Sequence, residues 1–206
     1  MKKILFVLST LTLFSSLSFA AGLIGFGVQG TGGGISVADP FKDVYSGGFG
    51  GGGHIDINLP IVLSLRVSGD YVVFSPDAEK YKAVLVSLNP QAGYVASGFT
   101  IDGGNINILA FSVNGKFAFP TPVVSPYITA GIGSSTFSGG DMTVKYNGVQ
   151  LGQTPGVAKE TVLSTNFGAG VDLNLVITLY LEAKYTIAFT QGSSSSFVLA
   201  SLGVTF

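Results

Sequence analysis

"SSFVLASLGVTF", residues 195–206, decides how this chain is read. From Phe197 on, one parity is Val198, Ala200, Leu202, Val204 and Phe206, and the other is Phe197, Leu199, Ser201, Gly203 and Thr205. Alternation with period 2 marks a strand with two different faces. A frayed terminus in a water-soluble domain gains little from such a pattern. A last strand that must pair with the first, so that no edge stays open, gains a great deal.

At the other end, Lys2 and Lys3 precede the uncharged, mostly apolar stretch "ILFVLSTLTLFSSLSF" and then Ser18-Phe19-Ala20. A positive start, a short apolar core and a small-residue exit predict a secretory signal peptide over 1–20, cut after Ala20, with a single domain over 21–206. A retained membrane helix is the alternative. No Cys is present, so neither a disulfide nor a lipidated N-terminal Cys is expected. A formal net charge of −1 supplies no electrostatic reason to bind nucleic acid, and none is expected. Charged residues are 10% of the chain, against roughly 25% in soluble domains. No apolar run after residue 20 is long enough for a membrane helix. An exported, hydrophobic chain without a spanning helix satisfies its backbone in a membrane only as a closed barrel.

Eight alternating segments fit that requirement: 22–30, 46–59, 61–74, 104–119, 126–137, 161–173, 176–190 and 195–206. The fifth rests on Ile128, Ala130 and Ile132 alone. Links near Leu59-Pro60, "PTPVVS" and "NLV" are short, whereas 31–45, 75–103 and 138–160 are long and 191–195 is brief. Short turns at one end and mostly long loops at the other predict periplasmic turns and extracellular loops. All eight prolines are placed in links or at a strand's first residue.

The charges test the pattern. Lys2 and Lys3 apart, twelve charged residues fall in the long links: Asp39, Lys42, Asp43, Asp77, Glu79, Lys80, Lys82, Asp102, Asp141, Lys145, Lys159 and Glu160. The other seven are Asp56, Arg66, Asp70, Lys116, Asp172, Glu182 and Lys184, each on the parity opposite its strand's apolar set. A Lys or Arg facing lipid costs roughly 2–4 kcal/mol at mid-bilayer, so all seven are expected inside. They form a candidate interior polar network with His54, and Asn58 and Asn166 are its neutral partners. A turn around Leu59–Ile61 sets Arg66 opposite His54 and diagonal to Asp56. The competing architecture is a soluble exported barrel or sandwich with the same alternation reversed. The even strand count, loop asymmetry and scarcity of charge favour the membrane barrel. Phe206, Phe117 and Phe119 fall at one expected interface, and Phe49, Tyr71 and Phe189 at the other.

With its leader, eight strands and terminal "LGVTF", the chain resembles the small outer-membrane barrels of the OmpA/OmpX type over its whole expected mature length. The fold class implied is all-β: an eight-stranded antiparallel up-and-down transmembrane β-barrel with long extracellular loops and short periplasmic turns. The resemblance places the chain in the outer membrane of a Gram-negative-type bacterium. Its partners there would be outer-membrane lipid and lipopolysaccharide, periplasmic chaperones, the barrel-insertion machinery and an unidentified extracellular ligand. It implies that Val198, Ala200, Leu202, Val204 and Phe206 are the assembly signal read by that machinery. The OmpA type continues into a peptidoglycan-binding domain that this chain does not carry, so wall anchoring is not expected.

Other signals are weaker. "GFGVQG" (25–30) matches the dinucleotide string G-x-G-x-x-G, but a leader precedes it and "TGGG" follows, where the motif needs a strand and a helix. No cofactor is expected. His54 is the sole histidine and there is no Cys, so no metal site is expected. A Ser–His–carboxylate site would place His54 at the outer rim; here it lies inside, beside Asp56, so no catalytic residue is assigned. In "SPDAEKYKAVLVSLNP" (75–90), Ser75 as cap, Pro76 at the first position and the acids Asp77 and Glu79 predict a helix over 76–88. Its apolar face is Tyr81, Val84, Leu85 and Leu88, and an extra strand pair is the alternative. Asn147-Gly148 within "MTVKYNGVQL" predicts a type I′ hairpin. These features point to a non-enzymatic envelope component with its loops as contact surface. The alternatives are a small channel or carrier for hydrophobic molecules and, third, a lipid-modifying enzyme.

Overall fold

The structure is a computed structural model and describes residues 23–36, 44, 45, 47–59, 62–119, 121–190 and 193–206. The expected leader and the loop charges Asp39, Lys42 and Asp43 lie outside these residues. Eight strands close a barrel: β1 (Ile24–Ser36), β2 (Gly47–Asn58), β3 (Leu63–Ser75), β5 (Ile106–Ala118), β6 (Val124–Gly139), β9 (Glu160–Asn174), β10 (Thr178–Thr190) and β11 (Ser193–Thr205). A separate three-stranded sheet holds β4 (Phe99–Gly103), β7 (Met142–Tyr146) and β8 (Val149–Thr154). All barrel pairs are antiparallel, and β1 pairs with β11 from Gly27–Thr205 to Ser36–Ser196. That pairing removes the edge an open sheet would expose.

Alternation in sequence becomes two faces in space. On β10, Tyr180, Glu182, Lys184, Thr186 and Ala188 are buried, while Leu179, Leu181, Ala183, Tyr185 and Phe189 are exposed. Direct partners followed once around from Ser64 pass Lys116, Thr129, Gly168, Lys184, Leu199, Gly33 and Gly48 and return to the same strand at Phe74, ten residues further on. Closure requires such a stagger, which tilts strands about 35–45° from the barrel axis.

Most strand ends differ from the sequence expectation by one or two residues, and three differences bear on the ladders. β1 continues to Ser36 instead of ending at residue 30, because its glycine-rich half is held by the ladder to β11. Glu160 opens β9 instead of closing the link before it. Pro126 is the third residue of β6, not its first; the β5–β6 ladder begins one residue later, at Ala118–Tyr127, so its missing N–H falls at the ladder's end.

Glycines on the inner face of β2 admit large neighbours. A methyl group on Gly48 would lie 2.4 Å from Cδ1 of Phe74, which is fully buried. Gly48→Ala is expected to destabilise the barrel by about 1–3 kcal/mol through overpacking. Urea unfolding followed by circular dichroism measures this; an unchanged midpoint would mean that Phe74 yields without cost.

At the long-loop end, α1 (Ala78–Leu88) follows β3. Its cap is Asp77, whose carboxylate accepts from the Glu79 and Lys80 N–H groups at 3.1 and 3.2 Å. Ser75 is not the cap, because it is still paired to Gly47 as the last residue of β3, and Pro76 precedes the cap. Asp77→Ala is expected to cost about 1 kcal/mol of helix stability, seen as loss of helical backbone shifts over 78–82. Tyr81 and Val84 pack on the barrel's apolar interior, but Leu88 is exposed. The link 75–103 contains the helix and also a strand, because β4 pairs with β7 of the next loop. Asn147 (φ 48°) and Gly148 (φ 81°) form the tight turn between β7 and β8, as the Asn-Gly pair requires. Tyr94, Phe99 and Tyr146 form an aromatic cluster with edge-on and tilted contacts, and Lys145 pairs with Asp102 across the sheet at 2.9 Å.

Candidate functional site

The chemistry-bearing side chains converge inside the barrel, in its short-turn half. Arg66 lies directly opposite Asp56 in the β2–β3 ladder. Its Nε and Nη2 donate to the two Asp56 carboxylate oxygens, both at 2.7 Å, and its Nη1 donates to Glu182 Oε2 at 3.3 Å. Its guanidinium carbon also lies 4.9 Å from the Tyr180 ring centre. Lys116 donates to Asp172 at 2.6 Å and rests 4.1 Å from the Tyr127 ring centre. Lys184 donates to Asp70 at 3.1 Å. All seven charged residues are buried.

The register sets Arg66 against Asp56, two residues from the expected pairing with His54, whose direct partner is Ser68. The β2–β3 turn is centred one residue later than the sequence suggested, so every pairing moves by two. His54 instead joins a neutral chain. Its Nδ1 is 2.9 Å from Gln29 Oε1 and its Nε2 is 2.9 Å from Thr205 Oγ1. An amide oxygen only accepts, so Nδ1 is the donor in the first of these bonds. Gln29 also accepts from Tyr180 OH and donates to Asp70. Asp56 is 3.9 Å from His54 Nε2. Of the two neutral partners expected, Asn58 accepts from Ser64 at 3.0 Å at the exposed end of β2, and Asn166 is buried. Gln29, Tyr180, Tyr127 and Thr205 were missed by sequence reasoning. Only their parity signalled them, since uncharged polar residues carry no penalty large enough to announce a face.

The long-loop half of the interior is apolar. Phe74 and Val72 on β3, Ile106 and Ile108 on β5, Phe137 on β6, and Phe197 and Leu199 on β11 pack there with Val44 and Tyr45. The space bounded by Asp70, Val72, Phe74, Ile108, Ala110, Phe197 and Leu199 has no room for a water molecule. Tyr45 donates to the Gly104 carbonyl at 2.9 Å, and burial, with Tyr81 nearby, raises its phenol above the ordinary tyrosine range. This apolar layer lies beyond the polar one and was not anticipated from the charges.

The outer face is mainly apolar, with hydroxyl groups at Ser134, Thr136, Thr161 and Thr165 on β6 and β9. Val198, Ala200, Leu202 and Phe206 are exposed on it, and Val204 is half-exposed. Phe206 exchanges backbone bonds with Phe26 at 2.8 and 3.2 Å, which extends the closing seam to the last residue. The outer membrane protein beta-barrel domain family matches residues 6–206. The chain belongs to that outer-membrane β-barrel family.

It is therefore an outer-membrane protein, with its exposed apolar band against lipid and lipopolysaccharide. Phe117, Phe119 and Phe206 are exposed at the short-turn rim, and Phe49, Tyr71 and Phe189 towards the other. Among solved structures, the fold is similar to Neisserial surface protein A, at 13% identity over 88% of this chain and 95% of that one, with a TM-score of 0.53. The N-terminal β-barrel domain of Pseudomonas aeruginosa OprF is 14% identical over 88% and 97%, with a TM-score of 0.46. The outer membrane enzyme PagL is 14% identical over 87% and 98%, with a TM-score of 0.45. No curated protein matches the chain by sequence.

Proposed function

We propose that the protein is a non-enzymatic component of the outer membrane: a closed barrel that carries an extracellular contact surface built from α1 and the β4–β7–β8 sheet. The observation that carries this is the double filling of its interior. The charged groups are engaged in ion pairs with one another, and the apolar layer above them leaves no room for water beside Asp70. His54, the one imidazole, is buried and bonded on both ring nitrogens, which argues against a role as a base towards an outside substrate. Lipid surrounds the barrel, and an unidentified extracellular ligand meets the loops. Assembly uses periplasmic chaperones and the insertion machinery acting on the terminal strand.

Planar-bilayer recordings of the refolded barrel are expected to show no steady conductance. A steady, cation- or anion-selective current would replace the closed barrel with a channel. The apolar mouth favours one second reading, a carrier for hydrophobic molecules. It would require the interior under α1 to open, and uptake of an apolar dye into proteoliposomes would reveal it.

A further inference from the structure

The short-turn end of the barrel carries an apolar rim. Its three turns, 59–62, 119–124 and 174–177, read "LPIV", "FPTPVV" and "NLVI" and contain no charged side chain. Val176 is fully exposed, Leu175 is 65% and Val123 53% exposed, and Leu59 and Val62 are exposed as well. Among the described residues, every charged side chain lies either inside the barrel or at the long-loop end. A barrel end that stands in water has no use for such a surface, and a contiguous exposed apolar patch marks contact with a partner or a membrane.

The polar groups of this rim bond to one another. The Ala118 N–H donates to the Val62 carbonyl at 3.0 Å and the Asn174 N–H to the Val123 carbonyl at 2.8 Å, so neighbouring turns are stitched together. The Phe119 N–H donates to the Pro126 carbonyl at 2.9 Å and the Leu175 N–H to the Ile177 carbonyl at 3.2 Å. Among the side chains, Asn174 Nδ2 donates to Ser125 Oγ at 2.8 Å, and the Ser125 hydroxyl donates to the Thr121 carbonyl at 3.0 Å. Backbone placed in lipid has to find its partners within the protein, and these bonds are of that kind. The rim is also continuous with the lipid-facing band. Val124 pairs directly with Leu173 and both are exposed, so the apolar outer face of β6 and β9 runs on into their turns. We propose that the rim is sunk in the headgroup and acyl boundary of the leaflet it faces, with phospholipid against Val123, Leu175 and Val176. The solvated surface of the protein is then all at its long-loop end. This does not depend on what the loops contact.

The protein has neither Trp nor Cys, so a single one introduced reports alone. Val176→Trp and Val123→Trp are refolded, one at a time, as full barrels into phosphatidylcholine vesicles, with Ala83→Trp on the exposed side of α1 as the reference in water. Both rim variants are expected to emit to the blue of Ala83→Trp and to lose most of their emission when the lipid acyl chains carry bromine. Emission from either one that matches Ala83→Trp, and is quenched by aqueous acrylamide but not by brominated lipid, would overturn the proposal. Trp itself favours membrane interfaces, so Val176→Cys supplies a check without that pull. It is expected to react with a charged maleimide many times more slowly than Ala83→Cys, both in opened lipid vesicles and in sonicated outer membranes. Equal rates would place the rim in water, and protection only in the native membranes would assign it to a periplasmic protein. Either result overturns the proposal.

Discussion

Arg66→Ala is expected to destabilise the folded barrel by about 3–5 kcal/mol, the range for removing one partner of a buried ion pair. The guanidinium is 3% exposed and serves two carboxylates, Asp56 through two bonds and Glu182 through a third. Removing it strands both acids inside the barrel, where Asp56 is 5% and Glu182 6% exposed. Part of the loss should be recovered by Glu182→Gln in the same chain, because that variant removes one stranded charge. Urea titration by circular dichroism and by the gel shift of folded against unfolded barrel gives the number. A loss below about 1 kcal/mol, as for a solvated pair, together with a steady bilayer current would indicate a water-filled interior instead.

The second large effect concerns assembly. Phe206→Asp is expected to leave most of the protein outside the outer membrane, recovered from the periplasm or degraded. The Phe206 ring stands on the lipid-facing parity with Val198, Ala200, Leu202 and Val204, and its backbone closes the seam against Phe26. An acid there interrupts the apolar face of the last strand at its end. Phe206→Tyr keeps an aromatic ring at the interface and should insert normally. Wild-type amounts of the Asp variant in outer-membrane fractions would remove the terminal ring from any part in assembly. Detergent refolding separates the causes: a variant that refolds well in micelles but fails in cells has lost recognition, not stability.

Much of the barrel was determined by the sequence itself. Period 2 over some ten residues places side chains on alternate faces whatever the neighbouring strand, so the inward parity of all seven charged strand residues was legible before any contact was known. A wrong parity would set Arg66 or Lys184 in lipid, and that energy is large enough to choose the face. The Asn147-Gly148 turn was equally local, since positive φ at two successive positions is a property of those residues. The leader over 1–20 also rests on local composition, and it remains an expectation of the sequence alone.

Register, by contrast, is collective. A slip of two residues keeps every side chain on its face, so parity could not distinguish Arg66 opposite His54 from Arg66 opposite Asp56. The barrel chooses through its ten-residue stagger and the packing of all eight strands together. The same holds for the glycine-rich half of β1, whose weak propensity is overridden by the ladder to β11, and for β4, which exists only because another loop supplies β7. The apolar layer of Phe74, Ile108, Phe137, Phe197 and Leu199 was also beyond parity. These residues lie far apart in the chain, and only closure of the barrel brings the inner set together. What the sequence determined is which face each side chain takes, because that is paid for locally by the contrast between lipid and a sheltered interior. Which inward groups meet was decided only by the tertiary structure, because partner choice depends on a stagger summed over the whole circumference.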